Sequence, residues 1–216
     1  MQTIIHSDPI AAARRLQDLD LTAGVLLNAV TASYQARSNC TELDPKMFPG
    51  LTMWATAIRH LRMGLLPRWT VNDEGNYPLT VSPDGSVAIS VATADEATGV
   101  ANRSPATQSS KGPRTMEAVA ANNAQLGFEL VYPDGWALPA YDGGRFGDCA
   151  TWLLLIHCDE TTVRAELSLP LGVDEFRRVS GWKERILLPN IDIDPLRDVE
   201  SDDRQQPIEV PVQRRA

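Results

Sequence analysis

Apolar positions recur every three or four residues through the first third of the chain and every second residue through much of the remainder. That change of period separates helices from strands. Asp8-Pro9 predicts a first helix, because Asp supplies an N-cap oxygen and Pro suits the first helical position. Ile10, Ala13, Leu16 and Leu19 recur along it, with an end expected near Asp18 or Leu19. Thr22 reads as the cap of a second helix carrying Leu26, Ala29, Val30 and Ser33 on one side and fading near Arg37-Ser38-Asn39. A third is expected after Pro49-Gly50, with Leu51, Trp54, Ala55, Ile58, Leu61 and Leu65 as its apolar stripe and Pro67 as its stop.

Tyr77, Leu79 and Val81 then alternate with smaller or polar residues, as do Val87, Ile89 and Val91. Ser82-Pro83-Asp84-Gly85 lies between them and predicts a β-hairpin, with Pro presetting the turn and Gly accepting positive φ. The stretch from Ala94 to Gly112 is rich in Ser, Thr, Ala, Gly and Pro, a composition expected of a functional or disordered loop. Pro113 opens a short helix through Met116, Val119 and Ala120 that ends around Asn122-Asn123. Thr151 to Ile156 reads as a buried strand, Asp159-Glu160-Thr161 as its turn, and Val163, Ala165, Leu167 and Leu169 as an alternating partner. A short helix is expected from Asp174 to Glu184 despite Gly181, then extended pieces at 186–188 and 191–193. Ile208, Val210 and Val212 suggest a last edge strand, where Pro207 and Pro211 are tolerated.

The order of elements predicts an α+β fold: an N-terminal three-helix region, a β-hairpin, and a C-terminal antiparallel sheet with one packed helix. The corresponding segments are 1–70, a hairpin, polar loop and short helix over 71–130, a Gly/Pro-rich connector over 131–148, and an antiparallel β region with an acidic tail over 149–216. They are also compatible with one integrated domain. At 216 residues and 43% apolar the chain is long enough for a substantial core. Its longest apolar runs fall far short of a membrane span of roughly 20 residues. Cys40, Cys149 and Cys158 form no C-x-x-C pair, and the start of the chain lacks an export signal, so reduced thiols and a cytoplasmic location are expected. His157-Cys158-Asp159 is read as a strand running into a turn rather than a catalytic thiol.

Twenty Lys/Arg against 28 Asp/Glu leave a formal charge of −8, which disfavours general nucleic-acid binding. Residues 1–70 differ from the rest, with seven cations against five acids, a balance of +2 that leaves −10 for the remainder. DNA binding through the N-terminal helices is therefore one alternative, although Asp44-Pro45 and Pro49-Gly50 make a connection unlike a tight helix-turn-helix. Ser109-Ser110-Lys111-Gly112, delivered by a loop to a helix start at Pro113, is a candidate anion site. Asp95 and Glu96 come after the hairpin as Asp73 and Glu74 precede it, making Asp95/Glu96 a candidate metal pair. In the tail, Asp198, Glu200, Asp202 and Asp203 belong to a run of six carboxylates around one arginine, a candidate contact for a basic protein partner.

Several segments carry a likeness: Thr3 to Pro9, Val87 to Gly99, Ser110-Lys111-Gly112-Pro113, Glu166-Leu167-Ser168-Leu169-Pro170 and Trp182-Lys183-Glu184-Arg185-Ile186. In these the chain resembles a group of uncharacterised bacterial proteins of prophages, plasmids and integrated mobile elements, over nearly its whole length, with the Gly-rich region from Tyr132 to Asp148 the most divergent. The group has no established activity, so the resemblance implies a setting of conflict between element and host and transfers no site residue. G-x-S-x-G, H-E-x-x-H, D-F-G and G-x-G-x-x-G are all absent from the sequence. The combined reading is a non-enzymatic cytosolic protein-binding factor that needs no cofactor: an inhibitor, immunity factor or accessory subunit. Its rival is a nucleotide- or nucleic-acid-processing enzyme built on the Ser109–Gly112 loop and Asp95/Glu96.

Overall fold

The computed structural model describes residues 2–125 and 149–193. Helix α1 spans Pro9–Asp18, and the Asp8 carboxylate accepts the Ala11 N–H at 2.9 Å. Helix α2 spans Ala23–Ser38, and the Thr22 hydroxyl accepts from the Val25 N–H. Helix α3, Phe48–Leu65, begins before Pro49 rather than after Gly50. Proline is accommodated there because the first-turn N–H groups have no intrahelical acceptor to lose. Helix α4 spans Pro113–Gln125 and is buried on most of its surface.

The predicted buried face of α2 is the observed one, Leu26, Ala29, Val30 and Ser33. The other two N-terminal helices are rotated from expectation. In α1, Ala12 and Leu16 are buried while Ile10 is 73% exposed. In α3 the inward set is Met53, Ala57, Ile58, Leu61 and Leu65, with Leu51 and Ala55 in solvent. Helix α3 must face both α2 and the sheet, so its contact arc is set by two neighbours rather than by the densest apolar stripe. Its Gly64 comes so close to α2 that an added Cβ would stand 2.9 Å from Val25 Cγ1.

Eight strands complete the described fold: β1 (Ile4–His6), β2 (Thr70–Asn72), β3 (Leu79–Val81), β4 (Val87–Thr93), β5 (Ala150–Cys158), β6 (Thr162–Val173), β7 (Val179–Leu187) and β8 (Ile191–Asp192). They form one mixed sheet in the order β1-β7-β6-β5-β4-β3-β2, with β8 also pairing β6. The hairpin β3–β4 and the antiparallel pair β5–β6 lie where the alternation predicts them. Two pairings are parallel: β4 runs along β5 from Val87↔Ala150 to Thr93↔Ile156, and β1 runs along β7. The sheet thus draws strands from the N-terminal, central and C-terminal stretches alike.

The helix expected from Asp174 to Glu184 is instead a hairpin turn and strand β7. The Asp174 carboxylate accepts the N–H groups of Phe176 and Arg178, and Arg177 adopts φ 59° to close the turn. Burial of Val179, Trp182 and Ile186 in the sheet outweighs a local helical tendency. Gly181 fits because β6 passes so near that an added Cβ would meet the Gly172 backbone at 3.1 Å.

Successive strand residues point to opposite faces. Ile89, Val91, Trp152, Leu154, Ile156, Leu167 and Ile186 pack against α1–α3. On the reverse, Ala92, Leu153, Leu155, Val179 and Trp182 pack with Met116 and Val119 of α4. Coverage on both sides explains why β5 is apolar with little alternation and why the residues alternating with Val87, Ile89 and Val91 in β4 are small and buried rather than charged. Between β5 and β6 the ladder opens where Pro170 has no N–H to give. Asn122 of α4 fills the gap as a substitute peptide: its Nδ2 donates to the Thr151 and Pro170 carbonyls at 2.9 and 3.0 Å, and its Oδ1 accepts the Thr151 N–H at 2.9 Å. The Tyr132 to Asp148 region and the 208–212 strand lie outside the described residues.

Candidate functional site

The 94–112 stretch, expected as a functional or disordered loop, is built into the α4 side of the sheet. Its Ala94 and Thr107 form a bridge, Thr107 exchanges hydrogen bonds with Val179, and the Trp182 indole donates to the Pro105 carbonyl at 2.8 Å. Beneath it lies a buried ion pair that the strand pattern conceals. Arg185 of β7 grips Glu166 of β6 with two bonds, Nε to Oε1 at 2.8 Å and Nη2 to Oε2 at 2.6 Å. The Arg185 side chain is 2% exposed and that of Glu166 0%. The groups around the pair complete it: Ser168 Oγ and the Gly99 N–H donate to the carboxylate, and the guanidinium donates to the Val100 and Arg103 carbonyls. Gly99, at φ 74°, turns its N–H toward Glu166 close against the Arg164 stem. A pair saturated in this way anchors the loop and leaves no group free for chemistry.

The two acidic pairs do stand at the hairpin end opposite its turn, but Asp73, Asp95 and Glu96 each have a local partner. Asp73 pairs with Arg62, and Asp95 accepts the N–H groups of Ala97 and Ala106. Glu96 pairs with Arg103 at 2.7 Å, and that guanidinium holds its pKa below the ordinary value. Among the described residues no group of three or more His, Cys, Asp or Glu side chains is placed to hold a metal. His157 and Cys158 diverge as strand neighbours do, the imidazole bonding the Ala94 carbonyl and the thiol packing on the helical side. Burial pushes the Cys158 thiol up to about 11, away from the thiolate a nucleophile needs.

Of the proposed anion loop, Lys111 is the member that lines a cavity. Its backbone N–H bonds the Arg177 carbonyl at 2.8 Å, and its Nζ stands 3.4 Å from Ser109 Oγ. The cavity, of about 140 Å³, opens between the 76–78 segment, β4, Trp54 and the start of α4. Tyr77, Ser90 and Thr115 also line it, and neither Asp95 nor Glu96 does. Burial pushes the Tyr77 phenol up to about 12, although the Ser90 and Thr115 hydroxyls beside it pull the other way. Burial also lowers the Lys111 pKa. Ser110 and Gly112 are not among the lining residues.

A further surface feature escaped the sequence reading. Within nine residues at the α2–α3 corner, Leu43 (96%), Met47 (75%), Phe48 (41%) and Leu51 (51%) are exposed. The available signal was a group of large apolar residues in a stretch broken by Asp44-Pro45 and Pro49-Gly50, where no buried face is continuous. The tail acids Asp198, Glu200, Asp202 and Asp203 lie outside the described residues. None of the described helices is long and apolar enough to cross a membrane. No protein-family model, curated protein or solved structure matches the chain.

Proposed function

We propose that the protein is a non-catalytic binding factor that docks on another protein through the α2–α3 corner, in conflict between a phage or plasmid and its host. The observation that carries this reading is the cluster of four exposed apolar side chains, Leu43, Met47, Phe48 and Leu51. Apolar surface of this kind costs free energy in water and is released when a partner covers it. Docking at α3's first turn requires no movement of the packed core, whose inward residues begin at Met53. The conflict setting rests on the resemblance of the 3–9, 87–99 and 182–186 segments to proteins of mobile elements. A partner with a complementary apolar face would bury the patch centre, with the flanking Glu42, Asp44 and Lys46 forming a polar rim.

The test is a double substitution, Leu43→Asp with Phe48→Glu, in a host challenged with phages or receiving plasmids. Both sites are on the surface, so the thermal midpoint should stay near that of the unaltered chain. Recovery of a stoichiometric crosslinked partner and the effect on survival should disappear together. Met63→Glu is the control: it is 65% exposed on the same helix but about 22 Å along the axis, and it should retain both. Retention of partner and phenotype by the double variant would refute the docking surface. Absence of both with the unaltered chain would refute the function.

A further inference from the structure

Among the described residues Lys111 forms no ion pair. Among the described residues that line its cavity there is no Asp or Glu, and its Nζ bonds the Ser109 hydroxyl at 3.4 Å, the long end of the range. Lys111 is half-buried there, so its ammonium group presents a positive charge to whatever enters the cavity from solvent. Around it stand groups suited to oxygen ligands: the hydroxyls of Tyr77, Ser90 and Thr115, with the Trp54 ring as an apolar side. Trp54 is itself fixed, its indole donating to the Val91 carbonyl at 3.1 Å. Three of the walls are rigid elements (α3, β4 and the first turn of α4), so the cavity is formed without a ligand. It shares no residue with the apolar α2–α3 corner and does not depend on docking there.

We propose that this cavity binds a small oxyanion, a phosphate or a carboxylate group, with Lys111 as its counter-charge and the Ser90, Thr115 and Tyr77 hydroxyls as its hydrogen-bonding shell. The volume sets the size of the ligand. Pockets that enclose drug-sized molecules run from about 300 to 1,000 Å³, whereas this one measures about 140 Å³. It accommodates the anionic group alone or the anionic end of a larger molecule, and it does not enclose a nucleotide. Burial lowers the Lys111 pKa, and a bound anion would push it the other way by favouring the charged form.

The experiment is calorimetric titration of the full chain with inorganic phosphate and, separately, with acetate, in a chloride buffer of constant ionic strength. Saturable binding of one of them is expected, and which one separates phosphate from carboxylate. Lys111→Met keeps the aliphatic stem and removes the charge, and it should weaken that binding at least tenfold. Lys46→Met, on the exposed corner, should leave it unchanged. Thr115→Val supplies a second variant should Lys111→Met fail to fold, with a weakening of a few-fold expected from one lost hydroxyl. The proposal is overturned if neither anion binds saturably to the unaltered chain, or if Lys111→Met binds as well as it does.

Discussion

Removing one member of the Arg185–Glu166 pair should be among the most damaging single changes in the molecule. In Arg185→Met the Glu166 carboxylate, 0% exposed, keeps only the Gly99 N–H and the Ser168 hydroxyl, the Arg103 carbonyl loses the guanidinium donor, and the Val100 carbonyl is left with the Arg103 N–H. Breaking a buried pair from one side typically costs about 3–5 kcal/mol, a large share of the roughly 5–15 kcal/mol that holds an ordinary domain together. Glu166→Met should cost a similar amount, because it strands the guanidinium. The double variant removes both charges, so its loss should fall short of the summed single losses by at least about 2 kcal/mol. Urea unfolding of the four proteins yields this cycle, and amide exchange at residues 99–107 reports the loop directly. Strictly additive losses, or single losses below about 1 kcal/mol, would show that the pair is solvated and that the loop is held by something else.

Two further outcomes rest on the same geometry. Asn122→Leu should cost about 3 kcal/mol or more by denaturant titration, since it leaves the Thr151 N–H and two carbonyls buried without partners; a loss below about 1 kcal/mol would mean that strands β5 and β6 close over the gap unaided. Glu184 is pushed upward by burial, but its bonds to Arg15 and His6 outweigh this and leave its folded pKa below the ordinary 4.5. A lowered folded pKa means stability that is present above the unfolded value and lost as pH falls through the folded one. Glu184→Gln should therefore lose less stability than the unaltered chain between pH 7 and pH 3, and an equal loss would remove Glu184 from the acid response.

Features governed by neighbours in the chain were legible before any fold was known. Asp8 and Thr22 cap α1 and α2 because a capping oxygen reaches an N–H three residues ahead, and the 82–85 turn closes a hairpin because Pro and Gly dictate its dihedral angles. The α+β class came from the change in apolar period, and Lys111 could be singled out as a cation arriving at a helix start. What the cation faces was not legible. Tyr77, Ser90 and Thr115 line one cavity with Lys111 only because the 76–78 segment, β4 and the start of α4 converge, and a sequence does not state which distant segments converge.

The amino-acid order by itself determined where the first three helices and most of the strands lie, for those choices cost or gain free energy within a few residues. Tertiary structure decided that 179–187 is a strand and that the sheet is mixed. It also decided that polar positions on β6 and β7 look inward. Glu166 and Ser168 read as a solvent face by alternation and Arg185 fell just past the expected helix, yet all three are buried because the 94–112 loop lies over them and supplies the carbonyls and N–H groups that the pair needs. Whether a polar face meets water depends on what the rest of the chain lays across it, and that is a property of three-dimensional packing rather than of local pattern.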